Sequence, residues 1–199
     1  VGVVLVLNFV ASERARELGE WQTRLNIVAD SRVADVERWA ARQYEVLGEL
    51  AQNASLQLYM SVSAESAAPT PDDQAEIVFL RSLLTVTADQ TGFRPKIERA
   101  TVRANVERTG IAGIALLNSK DDIVAASPGM PPIEGQLLKF VRGAERGERA
   151  VSHMYAGPDG APTIVFLAPV FGVQDDQSAA SQIGVVIGVK PVAAELFPR

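Results

Sequence analysis

Between Gly110 and Ser127 two apolar runs, Gly110–Leu117 and Ile123–Ala126, flank a polar clump, Asn118-Ser119-Lys120-Asp121-Asp122. Strand-length runs separated by a polar break of hairpin size predict a β-hairpin. The first run is apolar on both faces, which places its strand in the middle of a sheet with both sides covered. Strand-like sequence lies almost wholly after this hairpin, and helical sequence mostly before it. That segregation predicts an α+β chain.

Before the hairpin, residues from Ala11 to about Val62 are charged and strongly helical. Apolar or small residues recur at Leu25, Ala29, Val33, Val36, Ala40, Tyr44, Leu47, Ala51, Ala54 and Leu58, in steps of three and four. Gly48 costs about 1 kcal/mol relative to Ala without forcing a break. A helix of about 50 residues would be roughly 75 Å long, longer than a small domain is wide. Part of its stripe must then face something else, and a second copy of the chain is the simplest candidate. The alternative is two ordinary helices joined near Asp30-Ser31. Val1–Val10 is almost wholly apolar but shorter than the ~20 residues that span a bilayer. We read it as the outer end of a transmembrane helix in a chain cut from something longer, with a buried Val-rich strand as the alternative.

Ser61–Thr70 has the small residues of a linker. Thr70-Pro71-Asp72-Asp73 is a helix start: Thr can cap, Pro suits the first helical position, and the acids favour the positive end of the dipole. Ile77, Leu80, Leu84 and Ala88 form one apolar face, and Phe79, Leu83 and Val86 another, so this helix is expected to be buried on most sides. It would pack antiparallel to the first and stop at Gly92. Arg94–Arg108 is basic with a weak helical stripe; a solvated helix face is favoured there over an anion-binding cluster.

After the hairpin, Ser127–Pro132 is a proline-stiffened loop. Ile133, Leu137, Phe140/Val141 and Ala144 mark an amphipathic helix ending near Gly147. Three strands follow. Ala150–Ala156 alternates, with Val151, His153 and Tyr155 on one face and Ser152 and Met154 on the other. Gly157-Pro158-Asp159-Gly160 is a tight turn. Thr163–Val173 is the second strand, Gln174–Ser181 a polar loop, and Gln182–Lys190 a central strand stopped by Pro191, ahead of a short amphipathic tail, Val192–Phe197.

Composition narrows the chemistry. With 47% hydrophobic and 22% charged residues the chain is a folded protein, and a net charge of −5 gives no general attraction for nucleic acid. One histidine and no cysteine cannot build the usual zinc sites. HExxH, a P-loop and a GxGxxG after a strand are all missing from the sequence. Asp121-Asp122 and Asp175-Asp176 fall in polar loops and are expected to be solvated. No catalytic residue, metal site or cofactor is therefore expected, and this stretch is not read as an enzyme.

Five antiparallel strands with a helix inserted after the second is the plan of a PAS-like domain. The residues 113–127 hairpin, the Tyr155-Ala-Gly-Pro-Asp-Gly turn leading into Ile164–Phe171, and the Ile183–Val189 closing strand together resemble the Cache family in its single-Cache form. These are extracytoplasmic sensor modules of bacterial chemoreceptors, histidine kinases and diguanylate cyclases. The resemblance covers residues 12–199. It implies a long N-terminal helix plus a second helix packed on a PAS-like five-stranded sheet, divided as a transmembrane end (1–10), a helical stalk and helix pair (11–95) and a sensor domain (96–199). It implies an inner-membrane receptor with its sensor in the periplasm or outside the cell, joined to the membrane through flanking helices, as a homodimer. It also implies a small-molecule ligand, an amino acid, carboxylate or similar, held by Ser127 and Met130 of the loop, by His153 and Tyr155, and by Thr163 or Phe166. No arginine stands on a pocket strand to clamp a carboxylate; Lys139 or Arg142 could reach in from the helix. The competing function is a structural dimerisation module that answers a protein partner or the membrane and binds no small molecule. A weaker third is an intracellular PAS domain with a cofactor.

Overall fold

The computed structural model describes residues 2–65, 71–94, 110–172 and 181–192. The chain divides into two units, Val1–Ala41 and Arg42–Arg199. Helix α1 (Gly2–Ala51) is continuous, without a joint at Asp30-Ser31. Within the first unit it carries exposed i,i+3 and i,i+4 ion pairs, Arg38–Asp35 at 2.6 Å and Arg16–Glu20 at 3.5 Å. Leu18, Trp21, Leu25, Val28, Val33 and Val36 are exposed beside them. Among the described residues no helix is long and apolar enough to cross a membrane.

In the second unit α1 ends at Ala51 rather than running on to residue 62. Asn53 is the cause: its Oδ1 accepts the N–H groups of Ser55 (3.1 Å) and Leu56 (3.2 Å), capping a separate helix, α2 (Ala54–Glu65). Gly48 does not interrupt α1. Helix α3 (Pro71–Thr91) starts at the expected proline and stops before Gly92, whose φ of +75° ends it. Only one of its two apolar faces is covered. Leu80, Leu84 and Ala88 are buried, whereas Phe79 and Val86 are exposed. Beyond Arg94, the short helix expected over 94–108 lies outside the described residues, as do the linker at 66–70, most of the loop at 174–181 and the tail after Val192.

The sheet is antiparallel throughout, in the order β2 (Ile123–Ala126), β1 (Gly113–Asn118), β6 (Gln182–Pro191), β5 (Pro162–Phe171) and then β3 (Ala150–Val151), with β4 (Tyr155–Ala156) also on β5. The β1–β2 hairpin and the central places of β1 and β6 are as expected. Asn118 closes the hairpin: its Oδ1 accepts from the N–H groups of Lys120 and Asp122, both at 2.9 Å, and Asp121 takes φ +68°.

Helices cover both faces. Helix α3 packs on β1 and β2, and α2 on β6. On this side Leu47 of α1 and Phe93 approach Gly188 so closely that a Cβ there would stand 2.9 Å from one and 2.5 Å from the other. The opposite face carries α4 (Gly135–Gly143), whose Leu137 and Val141 are buried on Ala115, Leu117, Val165, Leu167, Ile187 and Val189. Helix α4 stops at Gly143, short of Gly147, because Ala144 is already extended.

The expected strand Ala150–Ala156 is broken. From Val151 to Tyr155 the chain takes four steps, while their partners Phe166 and Thr163 are three apart (155 − 151 = 4; 166 − 163 = 3). One extra residue is a β-bulge, which turns successive side chains to the other face. Val151 and Tyr155 therefore do not share a face. Ser152 holds the bulge: its N–H donates to the Val165 carbonyl and its Oγ accepts the Val165 N–H, each at 2.9 Å.

Candidate ligand recess beneath α4

The bulge matters because of what it turns inward. Gln136, Leu137 and Phe140 of α4, the bulged Ser152, His153 and Met154, Tyr155 of β4 and Val165 of β5 enclose a recess of about 250 Å³. A larger one, about 350 Å³, lies at the other end of α4. It is bounded by the β1–β2 turn, residues 144–148 and the start of β6. Arg142 faces that second recess, with Nε 3.7 Å from Asp121 Oδ2.

Of the six residues expected to hold a ligand, the structure brings His153 and Tyr155 together in the first recess. Thr163 shares the face of Tyr155, its cross-strand partner, but is fully buried, and its Oγ1 donates to the Ala161 carbonyl at 3.0 Å. Ser127 is buried and its Oγ accepts the Ile114 N–H at 2.9 Å, locking the loop to β1. Met130 packs against the core under α4. None of these three lines the recess. Phe166 is on the wrong face. It is fully buried on the α1 side of the sheet, its ring edge-on to Tyr44 at 5.3 Å and 87°. Its neighbour Val165 faces the recess instead. Strand β5 is apolar on both faces, so its sequence carries no parity signal.

Sequence reasoning missed Gln136, Leu137, Phe140, Ser152, Met154 and Val165 as lining residues. Leu137 and Phe140 were legible as part of an amphipathic helix, and Gln136 lies on the same helix; the other three depend on the bulge, which leaves no pattern in Ser152-His153-Met154. Lys139 is exposed and, with Arg142 at the other recess, does not line this one.

Burial raises the Tyr155 phenol above its ordinary value of 10.0. Tyr44 is raised too, by burial, with the Arg149 guanidinium pulling the other way. Phenolate is thus disfavoured in the folded chain relative to the unfolded one. The stability each phenol contributes is intact below pH 10 and drains away as pH climbs from there through the folded values. We expect alkaline unfolding to begin above about pH 10. Tyr155→Phe and Tyr44→Phe should each flatten that loss while leaving stability at pH 7–9 less changed, as read by denaturant melts across pH. A loss equally steep in both variants would contradict the buried phenols.

Neither a family model nor a curated protein matches the chain. Among solved structures the chain is similar to the E. coli DcuS sensor domain at 15% sequence identity, with a TM-score of 0.45 over 78% of this chain and 90% of that one. The fold follows from the strand order itself: an antiparallel sheet of five positions, the outer one split by a bulge, with a helix inserted after the second strand, is a PAS-like α+β sheet.

Proposed function

We propose that the chain is the extracytoplasmic ligand-sensing domain of a transmembrane receptor, a histidine kinase, chemoreceptor or diguanylate cyclase. In this reading residues 96–199 form the sensor and 11–95 the helical part, with Val1–Val10 the end of a membrane segment of the inner membrane. The observation that carries it is the recess under α4, where a one-residue bulge places His153 and Tyr155 along an apolar pocket on a PAS-like sheet. Pockets that are mostly apolar with a few convergent polar groups are the usual form of small-molecule sites. The recess also has a route outward. Val165 lines it, and the next residue, Phe166, meets Tyr44 of α1 edge-on. A ligand that displaced β5 would press on α1, and packed elements tend to move between discrete arrangements.

The test is signalling by the intact receptor. His153→Ala with Tyr155→Phe should cut the ligand response at least ten-fold while the purified domain keeps its melting temperature. Signalling by the intact receptor that no small molecule alters and that both substitutions leave unchanged would favour the dimerisation module that binds no small molecule.

A homodimer along α1 belongs to the same proposal. Leu18, Trp21, Leu25 and Val28 are spaced three, four and three apart and are all exposed, a seam of the kind that pairs helices. Sedimentation equilibrium should return a dimer that Leu25→Glu dissociates. A wild-type monomer at every concentration would refute it.

A further inference from the structure

We infer that the recess beneath α4 takes a small, neutral, largely aromatic molecule and rejects organic acids. This rests on the sensing reading and narrows it, against the amino acid or carboxylate that the family resemblance implies.

The lining decides it. Leu137, Phe140, Met154 and Val165 supply an apolar wall, and the Tyr155 ring continues it. The polar groups are the Gln136 amide, the Ser152 and Tyr155 hydroxyls and the His153 ring. Among the described residues that line the recess there is no Lys, Arg, Asp or Glu. The two cations of α4 are elsewhere: Lys139 is exposed, and Arg142 is 3.7 Å from Asp121 at the other recess. A carboxylate entering here would shed part of its water without meeting a fixed cation, which is unfavourable. An amide or hydroxyl loses far less, and Gln136 can both donate to it and accept from it. Two aromatic rings, Phe140 and Tyr155, and the Met154 thioether favour an aromatic guest by edge and sulfur contacts. The Ser152 Oγ already accepts the Val165 N–H, so its own hydroxyl hydrogen is what it offers a guest. At about 250 Å³ the recess lies below the usual range of drug-sized pockets, which suits a guest of one or two rings.

The experiment uses the 199-residue chain, labelled with ¹⁵N, and two pairs of probes alike in shape and different in charge: benzamide with benzoate, and indole-3-acetamide with indole-3-acetate. The amides should saturably shift the backbone signals of residues 136–140 and 152–155, and their acids should bind at least ten-fold more weakly. Tyr155→Phe should weaken the amides several-fold without changing the dispersion of the spectrum. If the acids shift the same signals as strongly, the ligand class is wrong while the recess stands as a binding site. If no probe shifts them, the recess is not a ligand site and the sensing reading falls with the inference.

Discussion

Replacing Phe166 with alanine is expected to remove about 3–5 kcal/mol from the unfolding free energy, the range for emptying a buried phenylalanine site. The ring is fully buried and meets Tyr44 edge-on at 5.3 Å, so the deletion leaves a cavity between β5 and α1 and strips an aromatic pair. Relaxation into that cavity is limited because β5 is bonded on both sides, to β6 and to the β3/β4 segment. His153→Ala is the matched control. That side chain is exposed, and its loss should change stability by no more than about 0.5 kcal/mol. Urea melts of the two variants with a common m-value decide the matter. A Phe166→Ala loss under about 1 kcal/mol would put the ring back in an open pocket, where the family resemblance places it.

That contrast shows what the sequence could and could not convey. The hairpin, the start of α3 at Pro71 and its stop at Gly92, and the central closing strand were legible because each depends on local chemistry: an Asx turn, a proline at the first helical position, a glycine at positive φ, a run apolar on both faces. The break after Ala51 had its signal too. Asn53-Ala54-Ser55 is a cap, but in an unbroken helical pattern a single Asn has little weight against the periodicity around it. The recess was half legible. His153 and Tyr155 stand out as polar and aromatic residues on a strand, yet the face they share with Val165 rather than Phe166 is fixed by one inserted residue. A one-residue slip reverses every side chain after it, and β5, apolar at nearly every position, accepts either register equally well on composition.

Lys190 had no such signal, and its removal is the second large effect expected. It ends a strand that reads as apolar on both faces, where a terminal lysine would ordinarily reach solvent. Instead it is 3% exposed. Its Nζ donates to Gln43 Oε1 of α1 at 3.1 Å and to the Thr91 carbonyl at 3.3 Å, and lies 5.2 Å from the centroid of the Phe93 ring. Thr91 is the last residue of α3, so the ammonium sits at the negative end of that helix's dipole as well as over an aromatic face. One side chain thus ties the closing strand to two helices. Lys190→Ala takes a donor from the buried Gln43 amide and from the part-buried Thr91 carbonyl, and empties the volume of the stem. Removing a donor from a buried acceptor costs about 1–3 kcal/mol, and the part-buried Thr91 carbonyl adds about 1 kcal/mol, so a loss of about 2–4 kcal/mol is expected. Lys190→Met refills the stem volume but restores neither bond, and should recover only part of it. A double-mutant cycle with Gln43→Leu should give a coupling of about 0.5–3 kcal/mol, as groups in direct contact do. If Lys190→Ala costs under about 0.5 kcal/mol, in the range of surface substitutions, or the cycle is additive, the strand is not held by this contact, and the packing of Phe166 on Tyr44 and of Leu47 on Gly188 is what ties the sheet to α1.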